Sequence, residues 1–370
     1  MSYEPLTRRC WAEIDRAALR HNLAAVRSQV GPSVKVMAVI KANAYGHGAT
    51  QVAKALAENA DVFGVANVTE AREVKACAPA VPVLILGPAL PEERAEIVAH
   101  GFIPLISTLE EARAFDALSR ETQVEAHLAI DTGMGRVGIW ENEALAVADE
   151  VRKLPGLRIT GISSHLPVAD EDEAFTREQL GSFHETVRRI RALGFEHMIV
   201  HVENSAGLIG FPAQAGDLVR AGLMLYGSSP LPEFQSRLLP VMTWKTRITL
   251  VRTAPAGHGI SYGRTHITQR PTRIATLAVG YADGYQRHLS NRGTEVLIRG
   301  LRCPVLGRIT MDQIVVNVDA AVDVAAGEEA VLMGRQGNEE IPAAELAQKS
   351  GTIPWEIFTG VGRRVERLCL

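Results

Sequence analysis

The sequence predicts an α/β protein in two parts, an N-terminal (β/α)8 barrel over residues 1–240 followed by a mostly β domain over 241–370. Three observations carry that expectation. Apolar, β-rich runs alternate with amphipathic helical stretches as far as Leu239, those runs number eight, and beyond Pro240 the helices nearly vanish. At 370 residues the chain is long for one domain, and two are expected.

The eight runs fall at 34–41, 62–68, 81–87, 102–108, 124–131, 157–165, 198–205 and 218–227. Helical patterns between them, such as 50–59, 69–75 and the long 175–193, repeat their apolar positions at three and four residues. Eight parallel strands with intervening helices close into a barrel. Further on, 241–253, 273–279, 294–298, 314–318 and 330–333 read as short strands set off by Gly, Pro and Asp turns, with one helix at 342–349. Residues 1–14 stand outside the barrel count. Of these, 10–14 can pair with the β domain, which would stitch the two domains together at both ends.

Lys41 ends the first run and is followed at once by a glycine-bearing stretch, Ala42-Asn-Ala-Tyr-Gly-His-Gly48. An amine at the buried end of a strand loses hydration, which disfavours its charged form and makes it a candidate imine-forming nucleophile. The structural alternative is a lysine that snorkels to water. Barrels of this type place catalytic groups at the C-terminal ends of their strands and often bind phosphate after strands seven and eight. On the predicted strands, Lys41 ends the first, Arg136 follows the fifth, His165 ends the sixth, Asn204 and Ser205 end the seventh, and Arg220, Gly222 and Leu223 lie in the eighth. Ser205 offers a hydroxyl, and Gly222 lets backbone N–H groups approach phosphate oxygens.

Composition narrows the partners. The net charge of −3 shows neither a basic nor an acidic bias, which argues against nucleic acid or an anionic membrane and leaves small molecules. No apolar run approaches a membrane span, and the N-terminus has no apolar signal core. Cys10, Cys77, Cys303 and Cys369 are far apart and form no C-x-x-C pair, so neither a disulfide framework nor a metal site is expected. A cytoplasmic protein fits these features.

Several motifs then carry a resemblance along the whole chain. Ile40-Lys-Ala-Asn-Ala-Tyr-Gly-His-Gly48 closely resembles the pyridoxal-phosphate signature of alanine racemases. Asp131-Thr-Gly-Met-Gly-Arg-Val-Gly138, Glu203-Asn-Ser-Ala206, Arg220-Ala-Gly222, Gly259-Ile-Ser-Tyr-Gly263, Gly280-Tyr-Ala-Asp-Gly-Tyr285, Gly307-Arg-Ile-Thr-Met-Asp-Gln313 and Arg363-Arg-Val-Glu-Arg367 follow in the family's order.

The resemblance implies a barrel plus a β domain in a homodimer with shared active sites, interconverting L- and D-alanine with pyridoxal 5'-phosphate and supplying D-alanine for peptidoglycan. It implies that Lys41 holds the cofactor and then acts as the base for the D-enantiomer, while Tyr262 of the partner subunit serves the L-enantiomer. A phenol is a weak base at neutral pH, so the tyrosine needs help, and the family pattern suggests a chain from Tyr262 to His165 to Arg220. Arg220 would face the cofactor's pyridine nitrogen and, hardly ever giving up its proton, keep that nitrogen unprotonated. Tyr45, Asn204, Ser205, Gly222, Leu223 and Trp355 would surround the cofactor. Arg136, Met311 and Asp312 would hold the substrate, an arginine suiting a planar carboxylate.

Two positions depart from the family pattern. Ala129 stands where many members have a lysine whose carbamate braces the arginine matching Arg136, so a bound anion such as chloride or a neighbouring carboxylate is expected to neutralise Arg136 here. Trp355 stands where a tyrosine is usual. Its larger ring, with Tyr281, would narrow the mouth of the site and favour a small side chain. Rival readings are a racemase that also takes serine, a decarboxylase of basic amino acids, which would carry a C-terminal Cys-Asp pair that this chain lacks, and a Schiff-base aldolase on a bare barrel.

Overall fold

The computed structural model describes residues 8–212 and 216–370. The chain divides into two compact units, one formed by Ala17–Ala44 and Gly48–Leu239, the other by the N-terminal segment to Arg16, Tyr45–His47 and Pro240–Leu370. The expected break at 240 therefore needs one amendment. Residues 8–16 belong to the β unit, in keeping with the pairing expected of 10–14, but so do Tyr45–His47, four to six residues beyond Lys41.

The first unit is a ring of eight parallel strands: Lys35–Val39, Val62–Val65, Val83–Ile85, Leu105–Ile106, Val124–Asp131, Leu157–Ser163, Ile199–His201 and Leu218–Ala221. They form two parallel sheets. The eighth strand pairs with the first, which is followed by the second and third, then the fourth; the fifth to eighth continue in order. The sheets are joined where Leu84 bridges Ile103, and where the Arg220 amide donates to the Glu203 carbonyl at 3.0 Å. Strands in such a ring are covered on both faces, which is why they read as continuous apolar runs. Val36, Met37, Ala38, Phe63, Leu84 and Leu128 are all fully buried.

Helix starts follow from capping residues in the loops. Asn67, Thr108 and Asp172 each accept a backbone N–H three residues on and so open Val68–Cys77, Leu109–Leu118 and Glu173–Arg191. The strand ends observed are shorter than those expected. His165 lies two residues past its strand, and Gly222 and Leu223 follow theirs, so these side chains sit on the loops at the C-terminal mouth of the barrel.

The second unit is built on the 13-residue strand Met242–Ala254, whose first half alternates buried and half-buried residues as a sheet with one covered face requires. Cys10–Ile14 pairs with it antiparallel, and Glu366–Cys369 pairs parallel to Cys10–Ile14 on the other side; residues 1–7 lie outside the described residues. Glu329–Gln336, Glu295–Ile298 and Leu301–Pro304 extend the sheet the other way, and Thr272–Leu277 with Ile314–Asn317 pair along the second half of the long strand.

Candidate active site

Lys41 opens a left-handed turn, a departure from the simple glycine loop expected. Ala42, Asn43 and Ala44 have φ and ψ near +50°, and Tyr45 has φ 52°. Each non-glycine residue in that conformation costs about 1–2 kcal/mol, so the turn needs external bracing. Glu70 supplies it, one carboxylate oxygen accepting the Ala42 N–H and the other the Ala66 N–H, both at 2.8 Å. Asn43 closes the turn, its side-chain oxygen accepting from the Ala49 N–H at 2.8 Å. The half-buried Lys41 amine has its pKa lowered by burial first, then by the charges of Arg136 and Arg220, with Glu70 opposing. Such an amine is more easily neutral and nucleophilic.

Below this mouth lies a directional hydrogen-bond chain. The buried Arg220 guanidinium donates to His201 Nδ1 at 2.9 Å and to the carbonyls of His201, Ser164 and Val202 at 2.9, 2.7 and 2.9 Å. Because His201 Nδ1 accepts, its proton sits on Nε2, which donates to His127 Nδ1 at 2.8 Å. His127 fits only because Gly161 lies behind it; a Cβ there would come within 2.5 Å of the imidazole. Arg220 also donates to His165 Nδ1 at 3.2 Å, so the remaining proton of a neutral His165 is on Nε2. Burial, opposed by Glu203 and reinforced by Arg136, brings the Arg220 pKa down only to about 10, so it keeps its charge at neutral pH. Burial and then Arg220 push His127 and His165 down to about 3 and His201 well below its usual range.

Those neutral histidines make acid stability a test of the site. Unfolded histidines titrate near 6.5, so below that pH the unfolded chain takes up protons that the folded one refuses until about pH 3. Stability is therefore complete above about pH 6.5 and declines as pH falls towards 3, by about 1.4 kcal/mol per pH unit for each histidine. Urea unfolding at about pH 7 and about pH 5 should show a clear drop. A flat profile would contradict the arrangement.

Arg136 sits on a loop organised by Asp131. Burial works to raise the Asp131 carboxyl, but N–H groups of Gly135, Gly133 and Arg136, bonded at 2.9–3.0 Å, outweigh it and hold the carboxyl below its usual range. The Arg136 side chain is exposed, and no carboxylate among the described residues lies in ion-pair range of it. Within the described residues Arg136 therefore has no neighbouring carboxylate to neutralise it. Ala129, buried on the fifth strand, presents no polar group to the arginine.

Asn204 orders the loop around it. Its side-chain oxygen caps the Ser205–Gly210 turn by accepting the Gly207 N–H, and its amide donates to the Leu166 carbonyl, so it positions Ser205 and the His165 loop. The buried Ser205 hydroxyl oxygen accepts the Gly222 N–H at 3.2 Å, which turns its own proton elsewhere. Leu223 is buried in the short turn that follows.

The other expected residues belong to the β unit. Tyr45 is buried there and burial pushes its phenol up to about 12; the neighbouring Gly46 carbonyl accepts from Arg367 at 2.9 Å, and the His47 ring packs on Phe358. Tyr262 is 71% exposed on a tight turn and Met311 is 53% exposed. Ser261, beside Tyr262, donates its hydroxyl to the Arg308 carbonyl, while the Tyr281 and Ala282 amides donate to the Thr310 and Met311 carbonyls at 3.0 Å. Three separated sequence motifs thus meet on one surface. Asp312 is engaged by Arg364 at 2.8 Å, and Trp355 is half-buried in the helix Pro354–Gly360.

Comparison with known proteins agrees with this geometry. Residues 14–230 match the model of the alanine racemase N-terminal domain, and residues 241–369 match that of the C-terminal domain. The chain is 41% identical to the alanine racemase of Halothermothrix orenii over 98% of its own length and 97% of that protein. The chain belongs to the alanine racemase family. The alanine racemase structure from Clostridium difficile 630 superposes with a TM-score of 0.92 at 34% identity, covering 99% and 97% of the two chains. That of Bartonella henselae, described with covalently bound pyridoxal phosphate, gives 0.89 at 29%, covering 98% and 100%. Membership makes the protein an amino-acid racemase, an isomerase. Among the described residues, no helix is long and apolar enough to cross a membrane.

Within this racemase, sequence reasoning missed Glu70, His127, His201 and Gln179. Glu70 left one signal, the Asn67-Val-Thr-Glu70 capping pattern, which announces a helix but not the brace on Ala42. The histidines left none, since a polar residue in a strand reads as an interruption.

Proposed function

We propose that this alanine racemase uses pyridoxal 5'-phosphate held by Lys41 and two opposed bases, Lys41 in its own barrel and Tyr262 of the partner subunit. The observation that carries the reading is the donor set at the barrel mouth. A lysine of lowered pKa stands with Arg136 and Arg220 acting on it as charges, and Ser205 contributes a hydroxyl on the loop after the seventh strand; that set suits an anionic carbonyl compound. When bound, the cofactor draws electrons from the substrate's α-carbon and makes its proton acidic.

The chain's own residues do the rest. Lys41 Nζ takes or returns the α-proton on one face. Arg220, fixed by three carbonyls and His201, stays charged and would lend its field to the bound cofactor. His165, held neutral with Nε2 protonated, can donate to a phenolate on the other face and so assist Tyr262. Ser205 and Gly222 serve the phosphate, with Tyr45, Leu223 and Trp355 completing the surround. Arg136 binds the substrate carboxylate, helped by Met311 and Asp312, and chloride is the counter-ion we assign to it. Alanine is the preferred substrate, D-alanine for peptidoglycan the product, and the cytoplasm the setting, which four free cysteines support.

The exposure of Tyr262 supports the homodimer, because a base needs shelter that only another surface can supply. The test is complementation. Lys41→Ala and Tyr262→Phe proteins, each inactive, are unfolded together and refolded. A mixed dimer holds one site with both bases, so activity should reappear. No recovery, with mixed dimers demonstrated by mass, would reject the shared site.

A further inference from the structure

Glu173–Arg191 is the long helix that packs outside the barrel, and one of its side chains turns inward to the mouth. Gln179 is 2% exposed. Its amide nitrogen donates to the Thr132 hydroxyl at 3.0 Å and to the His165 carbonyl at 2.8 Å. Thr132 is in turn 2.7 Å from the Ser164 hydroxyl. One amide therefore spans two loops, the one that carries Arg136 and the one that carries His165. Phe175, one turn earlier, packs so tightly on Gly133 that a Cβ there would lie 2.8 Å from the ring. The first loop is thus pinned at Thr132 and at Gly133.

The amide's own oxygen is buried with no donor among the described residues. Leaving a carbonyl unsatisfied opposes folding, and a leucine would fill the same space without that cost. The amide is thus better explained by what its two hydrogens hold than by packing. Arg136 leans on no carboxylate in the described structure, so the backbone of its loop must fix its place. We propose that Gln179 is a positioning residue that sets the separation of the Arg136 loop from the His165 loop, and through it the fit of the substrate carboxylate. This rests on the assignment of Arg136 to that carboxylate.

The test compares the cofactor-loaded parent with Gln179→Leu and Thr132→Val, the second removing the loop-side partner of the amide together with its contact to Ser164. For Gln179→Leu the KM for alanine should rise roughly tenfold, more than kcat falls, because a carboxylate clamp displaced by a fraction of an ångström loses substrate alignment. Deuterium uptake over 133–137 should rise while Glu173–Arg191 stays protected and the melting temperature stays close to the parent's. Thr132→Val should show the same pattern, a few-fold in KM, and it carries the test by itself if Gln179→Leu does not fold. Unchanged KM and uptake in the folded variants would overturn the proposal. So would a lower melting temperature with KM unchanged, which marks a packing residue. If instead uptake rises as expected while Arg136→Ala leaves the KM of the parent unaltered, the assignment of Arg136 fails and the loop restraint stands.

Discussion

Replacing Lys41 with alanine is expected to abolish racemisation and leave a protein that folds but releases pyridoxal phosphate on gel filtration. The loss should be at least about 10⁴-fold, since general-base catalysis alone is worth about 10²–10⁴ and the covalent anchor disappears with it. The local structure makes this residue hard to replace. Its amine stands on a strained left-handed turn tied to Glu70, and its pKa is lowered by burial and by two arginines. No other lysine is brought to the barrel mouth among the candidate residues. The measurements are steady-state rates in both directions and the absorbance of the protein after acid denaturation. A cofactor still covalently attached to Lys41→Ala would refute the assignment.

Tyr262→Phe carries the second large effect, and its signature is asymmetry. The side chain is 71% exposed on the β unit, so removing its hydroxyl should change stability by no more than about 0.5 kcal/mol and leave cofactor binding intact. Proton exchange at the α-carbon in deuterated water should persist from D-alanine, if Lys41 serves it as proposed, and fall by about 10²–10⁴ from L-alanine. Racemisation needs both and should fall with the slower step. Equal losses from the two enantiomers would mean that Tyr262 is not the base of one face.

The barrel was legible because strands buried on both sides are runs of Val, Ile, Leu and Ala, visible without any knowledge of their neighbours. The left-handed turn was not. Ala-Asn-Ala-Tyr has no glycine to announce positive φ, and what holds it is a carboxylate 28 residues away. Leu301–Pro304, Glu339–Ile341 and Glu366–Cys369 escaped for a related reason: charged residues such as Arg302 and Glu339 break their apolar pattern, and pairing with distant partners makes them strands. Lys41, Arg220 and Tyr262 stood inside recognisable motifs, whereas His127 and Gln179 act through geometry that only the closed ring creates.

The interleaved strands of the β unit have a consequence for the order in which the protein is made. Trp11 lies opposite Glu366, so the strand Cys10–Ile14 waits for a partner made about 355 residues later. At ~5–20 residues per second that delay is on the order of tens of seconds, ample time for the barrel, whose strands pair largely with their sequence neighbours, to form meanwhile. Until Met242–Thr246 is made Cys10–Ile14 has neither neighbour, and from then until Glu366–Cys369 follows it is a sheet edge open to the same strand of another nascent chain. Completion of the β unit is thus a late event in biogenesis, tied to synthesis of Glu366–Cys369 rather than to the collapse of the barrel.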